Sequence, residues 1–277
     1  MTPIVLAAGA ALLWGTSDFC GGKGSRRASA LAVGLWSQLA GIPVLGLALL
    51  VVSGTPRATD LAWGAATGVV GLVAIVLLYH GLSQGAMTVV SPVTAVTAAV
   101  VPLAAGLVLD GPLSGAALAG VVAAVVAIAL VSAGQRGPHG PVTPALVGLA
   151  LASGTLFGLA FVLLGQVGVD SGMWPLAGLR AGALVAGLSL AVGLKTDLRL
   201  SGEALAWTAL AGPLEVVGTA CYLLAVTQGH LSVVAVLAAL YPASTVLLAL
   251  GVDRERLRLP QAAGLAFAAA ALVLVAR

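Results

Sequence analysis

The sequence predicts an all-α integral membrane protein of ten transmembrane helices, arranged as a five-plus-five inverted repeat. Three observations carry that expectation. Of 277 residues, 60% are hydrophobic and 8% are charged, apolar stretches of spanning length recur along the chain, and polar and aromatic landmarks recur in the same order in its two halves. An ordinary soluble domain carries about 25% charged residues. A chain this apolar has too few polar groups to cover the outside of a globule, so lipid must cover it. A helix needs roughly 20 mainly apolar residues to cross a hydrocarbon core about 30 Å thick. Ten such helices nearly exhaust the chain, leaving short loops and no segment with the composition of a separate soluble domain.

Taken in order, the first spans fall near Ile4–Phe19, Leu31–Val52, Leu61–Leu82, Met87–Leu109 and Leu113–Ser132. Charged, proline or glycine-rich breaks separate them. Met1-Thr2-Pro3 lacks a positive n-region, and Lys23, Arg26 and Arg27 follow the apolar stretch, so the first segment is expected to remain as a span. The longest glycine- and proline-rich polar stretch, Gly134-Gln135-Arg136-Gly137-Pro138-His139-Gly140-Pro141, falls near the middle of the chain. It reads as the linker, 135–143, between a first repeat, 1–134, and a second, 144–277. The second repeat carries spans near Pro144–Val167, Met173–Leu194, Leu205–Thr227, Ser232–Leu250 and Gln261–Ala276.

The halves match in their rarer residues. Tyr79 precedes Gln84-Gly85 and Val89-Val90, as Tyr222 precedes Gln228-Gly229 and Val233-Val234 with one extra residue; Leu113 and Gly120 keep the interval of Leu257 and Gly264. Trp14-Gly15 pairs loosely with Phe157-Gly158. An odd number of spans per half makes the copies run oppositely through the bilayer, and inverted repeats place a site near the midplane where the halves meet.

Several function classes fit poorly. Cys20 and Cys221 are too few and too isolated for a disulfide framework or a metal site, and neither a metal nor a cofactor is expected. No basic run is interleaved with aromatics, so nucleic acid is not an expected partner. His80, His139 and His230 have no HExxH spacing, and there is no paired-aspartate motif or GxSxG elbow. Gly21-Gly22-Lys23-Gly24-Ser25 lacks the spacing of a phosphate loop and reads as a turn. The chain is not expected to be an enzyme.

Polar residues inside the spans are the informative ones. An Asp, Arg or Lys at a helix centre costs roughly 2.5–3.5 kcal/mol, so it faces a protein interior or a wet cavity. Asp18, His80, Arg180 and Glu215 are such residues. Arg180 in the seventh span and Glu215 in the eighth can pair between adjacent helices, either as a packing element or as a site whose pairing is released during a cycle. Asp18 is either a cavity residue or an interfacial cap, and Glu215 and Asp18 are the candidates for coupling to a proton. Trp14, Ser17, Trp36, Gln38, Tyr79, Gln84, Tyr222, Gln228 and Tyr241 complete the candidate cavity set. Trp63, Trp174 and Trp207 stand at span starts and read as interfacial anchors. Gly64/Gly68, Gly154/Gly158 and Gly178/Gly182 have GxxxG spacing and read as helix packing. Pro43, Pro92, Pro102, Pro213 and Pro242 permit kinks.

Trp14-Gly15-Thr16-Ser17, Arg180, Tyr222 with Gln228-Gly229, Tyr241-Pro242, and Arg254-Glu255-Arg256-Leu257 leading to Gln261 and Gly264 together resemble the drug/metabolite transporter superfamily in its ten-helix form with two EamA-type domains. The resemblance covers almost the whole chain. Gly111 stands where the first half would carry a counterpart of Glu255, and Trp36 where it would carry one of Arg180. The resemblance implies a basket of ten helices around a central cavity that opens alternately to either side. The resemblance does not choose a substrate; with no nucleotide-binding motif in the chain, the expectation is a secondary transporter of a small polar metabolite, an amino acid or similar, in the export direction across the plasma membrane. The partners are then the solute, the lipid bilayer and a candidate coupling proton, with the oligomeric state open. Nucleotide sugars or drugs are the alternative cargoes, and a non-transporting membrane scaffold or sensor is the alternative class.

Orientation divides the two lines of reasoning. Lys23, Arg26, Arg27, Arg136, Lys195, Arg199, Arg254, Arg256 and Arg258 all fall in odd-numbered loops, against Arg57 and Arg277 on the other side. The positive-inside rule puts those loops in the cytoplasm and both termini outside, whereas the resemblance implies termini inside.

Overall fold

In hydrocarbon every backbone N–H and C=O needs a partner within its own segment, so the apolar stretches fold as helices. The computed structural model describes residues 2–25, 27–83, 87–133, 143–241, 243–244, 247–248 and 258–275, with no strand among them. Their helices are α1 (Thr2–Ser25), α2 (Ala30–Ala40), α3 (Ile42–Val51), α4 (Ala58–Ser83), α5 (Met87–Leu109), α6 (Gly115–Ala133), α7 (Pro144–Leu164), α8 (Trp174–Gly193), α9 (Gly202–Val226), α10 (Leu231–Ala238) and α11 (Leu259–Val275). Local signals set their starts. The Ser29 hydroxyl accepts from the Ala32 N–H at 3.1 Å to begin α2, and Thr143 caps α7 ahead of Pro144, whose missing N–H costs nothing in a first turn.

The predicted spans recur as helices, with one instructive difference. Six stretches are long and apolar enough to cross a membrane: Thr2–Ser25, Ala30–Val51, Ala58–Leu78, Pro144–Leu164, Trp174–Gly193 and Gly202–Val226. Val93–Leu109, Gly115–Leu130 and Leu259–Ala271 add shorter apolar helices. α10 covers the start of the ninth span, whose later residues lie partly outside the described set. The second span, read as one helix, is interrupted at Gly41, because Pro43 brings no N–H to the helical ladder.

The halves interdigitate rather than stand side by side. α1 packs along α9 as α7 packs along α4; α9 meets α2 as α4 meets α8; α10 touches α1 as α5 touches α7; and α6 pairs with α11. Exchanging the first five spans for the last five maps each of these contacts onto another or onto itself, as a duplicated fold requires.

Small residues make these crossings close, since lipid supplies no hydrophobic drive between helices. A β-carbon on Gly64 or Gly68 would lie 1.9 or 2.0 Å from the carbonyl oxygens of Pro175 and Leu179, and one on Gly178 or Gly182 would meet those of Leu61 and Ala65, both at 2.2 Å. α4 and α8 thus lock backbone to backbone. Gly154 and Gly158 do the same against Thr94, Thr97 and Val101 of α5. Hydroxyls stitch the crossings: Ser153 donates to the Ala74 carbonyl at 2.8 Å and Thr94 to that of Ala150 at 3.2 Å. Both bonds join one half to the other.

Candidate functional site

The polar centre of the bundle forms where α1, α2, α8 and α9 meet. Gly41 and Gly212 set the approach of α2 to α9: a β-carbon on Gly212 would lie 2.2 Å from the Ser37 carbonyl, and one on Gly41 would lie 2.6 Å from Val216 Cγ2. The same hypothetical carbon on Gly41 would be 3.2 Å from Arg180 Nη2, so the break in the second span sits directly against the guanidinium.

Arg180 of α8 is 5% exposed. A buried cation needs opposite charge and acceptors in place of water. Glu215 of α9 supplies the first through an ion pair between its Oε2 and Arg180 Nη2, and Gln38 of α2 supplies the second, its Oε1 accepting from Nη1. The other carboxylate oxygen of Glu215, Oε1, accepts from the Thr219 hydroxyl at 2.8 Å, and Thr219 Oγ1 accepts the Trp14 indole N–H at 3.2 Å. Three helices of different sequence position therefore converge on one ion pair, and a fourth, α1, reaches it through Thr219.

Below this polar chain lies an aromatic cluster. Trp14 stacks on Phe161 with centroids 5.4 Å apart, and Tyr222 tilts against both at 5.5 and 5.2 Å. Tyr222 is fully buried and donates its hydroxyl to the Phe161 carbonyl at 3.0 Å, so its polar tip is satisfied. Gly218 leaves the space for Trp14, since a β-carbon there would stand 2.7 Å from the indole Cδ1.

Asp18 lies four residues after Trp14, on the same face of α1. Its side chain is exposed. Glu215 itself keeps 28% of its side-chain surface exposed. The ion pair is therefore closed at its guanidinium and part-exposed at its carboxylate. Ser17, on the adjoining face, is buried and donates to the Ala211 carbonyl at 2.9 Å, close to the helix turn that Pro213 weakens.

Of the residues singled out in the sequence, the structure thus brings together Trp14, Ser17, Asp18, Gln38, Arg180, Glu215 and Tyr222. Trp36 points elsewhere: it is 42% exposed and donates its indole N–H to the Leu198 carbonyl at 2.8 Å, because two residues along a helix separate it from Gln38 by more than half a turn. Gln228 is exposed past the end of α9 and donates to the Leu224 carbonyl of that helix at 2.8 Å. Tyr241 packs partly buried against the main core beside Gly15 of α1. Gln84 and the side chains of Tyr79 and His80 lie outside the described residues. Sequence reasoning missed Thr219, Phe161 and the Gly41–Gly212 approach. Thr219 follows Glu215 by four residues and could have been found as its same-face neighbour; nothing local marks Phe161.

The EamA-like transporter family model matches the chain twice, over residues 1–133 and 145–277. A solved structure, titled only as the crystal structure of a protein, is similar over 98% of this chain and 95% of its own length. Its TM-score is 0.78 at 14% identity, a likeness of fold alone. No curated protein matches the sequence. With both halves of a membrane-spanning helical bundle matched, the chain belongs to the EamA-like transporter family and is a multi-pass membrane transporter of the drug/metabolite type.

Proposed function

We propose that the protein is a secondary transporter that exports a small zwitterionic metabolite, an amino acid or a similar solute, across the plasma membrane by alternating access. The two halves, proposed as repeats 1–134 and 144–277 around a 135–143 linker, build the central site between them. The observation that carries this reading is the Arg180–Glu215 pair, with Arg180 buried and Glu215 part-exposed. A zwitterion fits between separated partners: its carboxylate replaces Glu215 on Arg180, and its ammonium takes up Glu215 or Asp18. Net charge at the site is then conserved on binding, so the solute avoids the cost of an unpaired buried ion. Trp14, with Phe161 and Tyr222 behind it, supplies an apolar face for the rest of the molecule. Two carboxylates against one guanidinium also leave a place for a proton, which makes Asp18 and Glu215 the coupling candidates.

Uptake into proteoliposomes, measured over a panel of amino acids, nucleotide sugars and cationic drugs at two pH values, tests the proposal. Wild-type flux of a zwitterion, with Glu215→Gln abolishing its pH dependence, is the expected result. Unchanged pH dependence in that variant removes Glu215 as the coupling residue, flux of another solute class replaces the cargo, and no flux of any solute favours a scaffold.

A further inference from the structure

The crossing of α2 and α9 has a second, outward face. Where Gln38 and Gly41 turn inward to Arg180, the opposite side of α2 forms an open groove with the first turns of α9, lined by Trp36, Leu39, Ala40, Leu205, Thr208 and Ala209. Trp36, Leu39 and Leu205 are 42%, 41% and 47% exposed. The one hydroxyl present, that of Thr208, donates back to the Ala204 carbonyl at 2.7 Å. The recess is thus hydrocarbon in character, lies between two spanning helices, and fits an acyl chain rather than a polar solute.

One end of the groove is basic. The Trp36 indole N–H bonded to the Leu198 carbonyl, and the Ser29 hydroxyl donating to the Asp197 carbonyl at 3.3 Å, pin the α8–α9 connection over the start of α2. That connection carries Lys195 and Arg199, and the neighbouring α1–α2 connection, tied to the first turn of α9 by the Arg27–Glu203 ion pair, carries Arg27. Asp197 Oδ1 accepts the backbone N–H of Arg199 at 3.0 Å, so among the described residues of these connections Lys195, Arg199 and Arg27 stand against Asp197 and Glu203.

Lys195 adds an independent sign. α8 ends in a Schellman arrangement, with Thr196 N–H donating to the Ala191 carbonyl at 3.0 Å and Lys195 N–H to that of Val192 at 3.3 Å. The residue after the cap must then be left-handed, the place where glycine is unstrained. Here it is Lys195, at φ 49°. A lysine held there against its backbone preference puts an ammonium at the rim and at the negative end of α8.

We propose that this groove and rim bind one anionic phospholipid, an acyl chain lying along α2 and α9 and the phosphate held among Lys195, Arg199 and Arg27. Charge complementarity at the rim selects the anionic headgroup, and the groove holds the chain; neither residue set belongs to the Arg180 site, so the proposal stands apart from the identity of the cargo.

Native mass spectrometry of the purified full chain, titrated with dioleoyl phosphatidylglycerol or dioleoyl phosphatidylcholine, tests it. One phosphatidylglycerol should bind in preference to phosphatidylcholine. A basic side chain near an anionic headgroup is worth about fivefold, so Lys195→Gly with Arg199→Gln should weaken phosphatidylglycerol roughly 25-fold and leave phosphatidylcholine unchanged. Ala209→Phe, which fills the groove, should weaken both lipids. Lys195→Gly relieves its backbone strain, so an unchanged or raised melting temperature in that single variant shows that lost lipid is not lost fold. Equal binding of the two lipids, rim variants that do not discriminate them, or lipid binding indifferent to Ala209→Phe would each overturn the proposal. So would a dimer that Ala209→Phe converts to monomer, which would assign the groove to a second copy.

Discussion

Thr219 and Glu215, one turn apart on α9, are joined by a 2.8 Å hydrogen bond from the threonine hydroxyl to Oε1, while Oε2 of the same carboxylate holds Arg180. The carboxylate is thus oriented from both sides. The Trp14 indole N–H reaches Thr219 at 3.2 Å and extends the arrangement to α1. Thr219→Val keeps the shape and removes both bonds. Loss of one hydrogen bond to a carboxylate and one neutral bond predicts a stability cost of about 2–4 kcal/mol, read from thermal unfolding in detergent, together with a raised apparent KM for solute.

Breaking the ion pair from one side is costlier. Glu215→Gln leaves a buried guanidinium without its counter-charge, and the expected loss of stability is about 3–5 kcal/mol. Arg180→Met combined with Glu215→Leu removes both charges and should recover most of that stability while abolishing transport. Recovery of flux in the double variant would show that the pair serves packing alone.

Asp18 predicts the opposite balance. Its side chain is exposed, so Asp18→Asn should leave the melting temperature unchanged or slightly raised. Flux should fall nonetheless. A comparison of melting temperature with initial uptake rate separates the two effects.

Glycine substitutions sort by what stands opposite them. Gly212→Ala drives a methyl group into the Ser37 carbonyl, pushes α2 from α9 and carries Gln38 away from Arg180; overpacking of this kind costs about 1–3 kcal/mol, and flux should fall with it. Gly9→Ala and Gly148→Ala meet nothing within 4 Å. Those should stabilise by up to about 1 kcal/mol through helix propensity and leave transport intact.

Exposed pairs make a further control. Arg57 donates to Asp170 at 2.8 Å with both side chains more than half exposed, and Arg57→Ala should change stability by less than about 1 kcal/mol. Thermal unfolding of that variant beside Glu215→Gln compares the two kinds of salt bridge directly.

How much of this was legible in the sequence depends on how local each cause is. Spans follow from apolar runs and breaks, which act residue by residue, so α1, α4, α7, α8 and α9 lie where hydropathy put them. Arg180 and Glu215 were found because a charge in hydrocarbon must be paired and their helices are consecutive. Gln38 joins them only because Gly41 and Gly212 let α2 and α9 touch, a contact between residues 171 positions apart that no local pattern announces. Trp36 and Gln38 are neighbours in sequence and looked alike; the helix turned one outward and the other inward. Phe161 became part of the aromatic cluster through the same long-range packing.

The seam of Gly64 and Gly68 with Gly178 and Gly182 has a mechanical meaning. It joins a helix of the first repeat to a helix of the second by backbone contact, with Arg180 mounted on the second. For the proposed transport cycle this makes the α4–α8 pair, drawn from both repeats, a unit expected to stay together rather than a seam that opens.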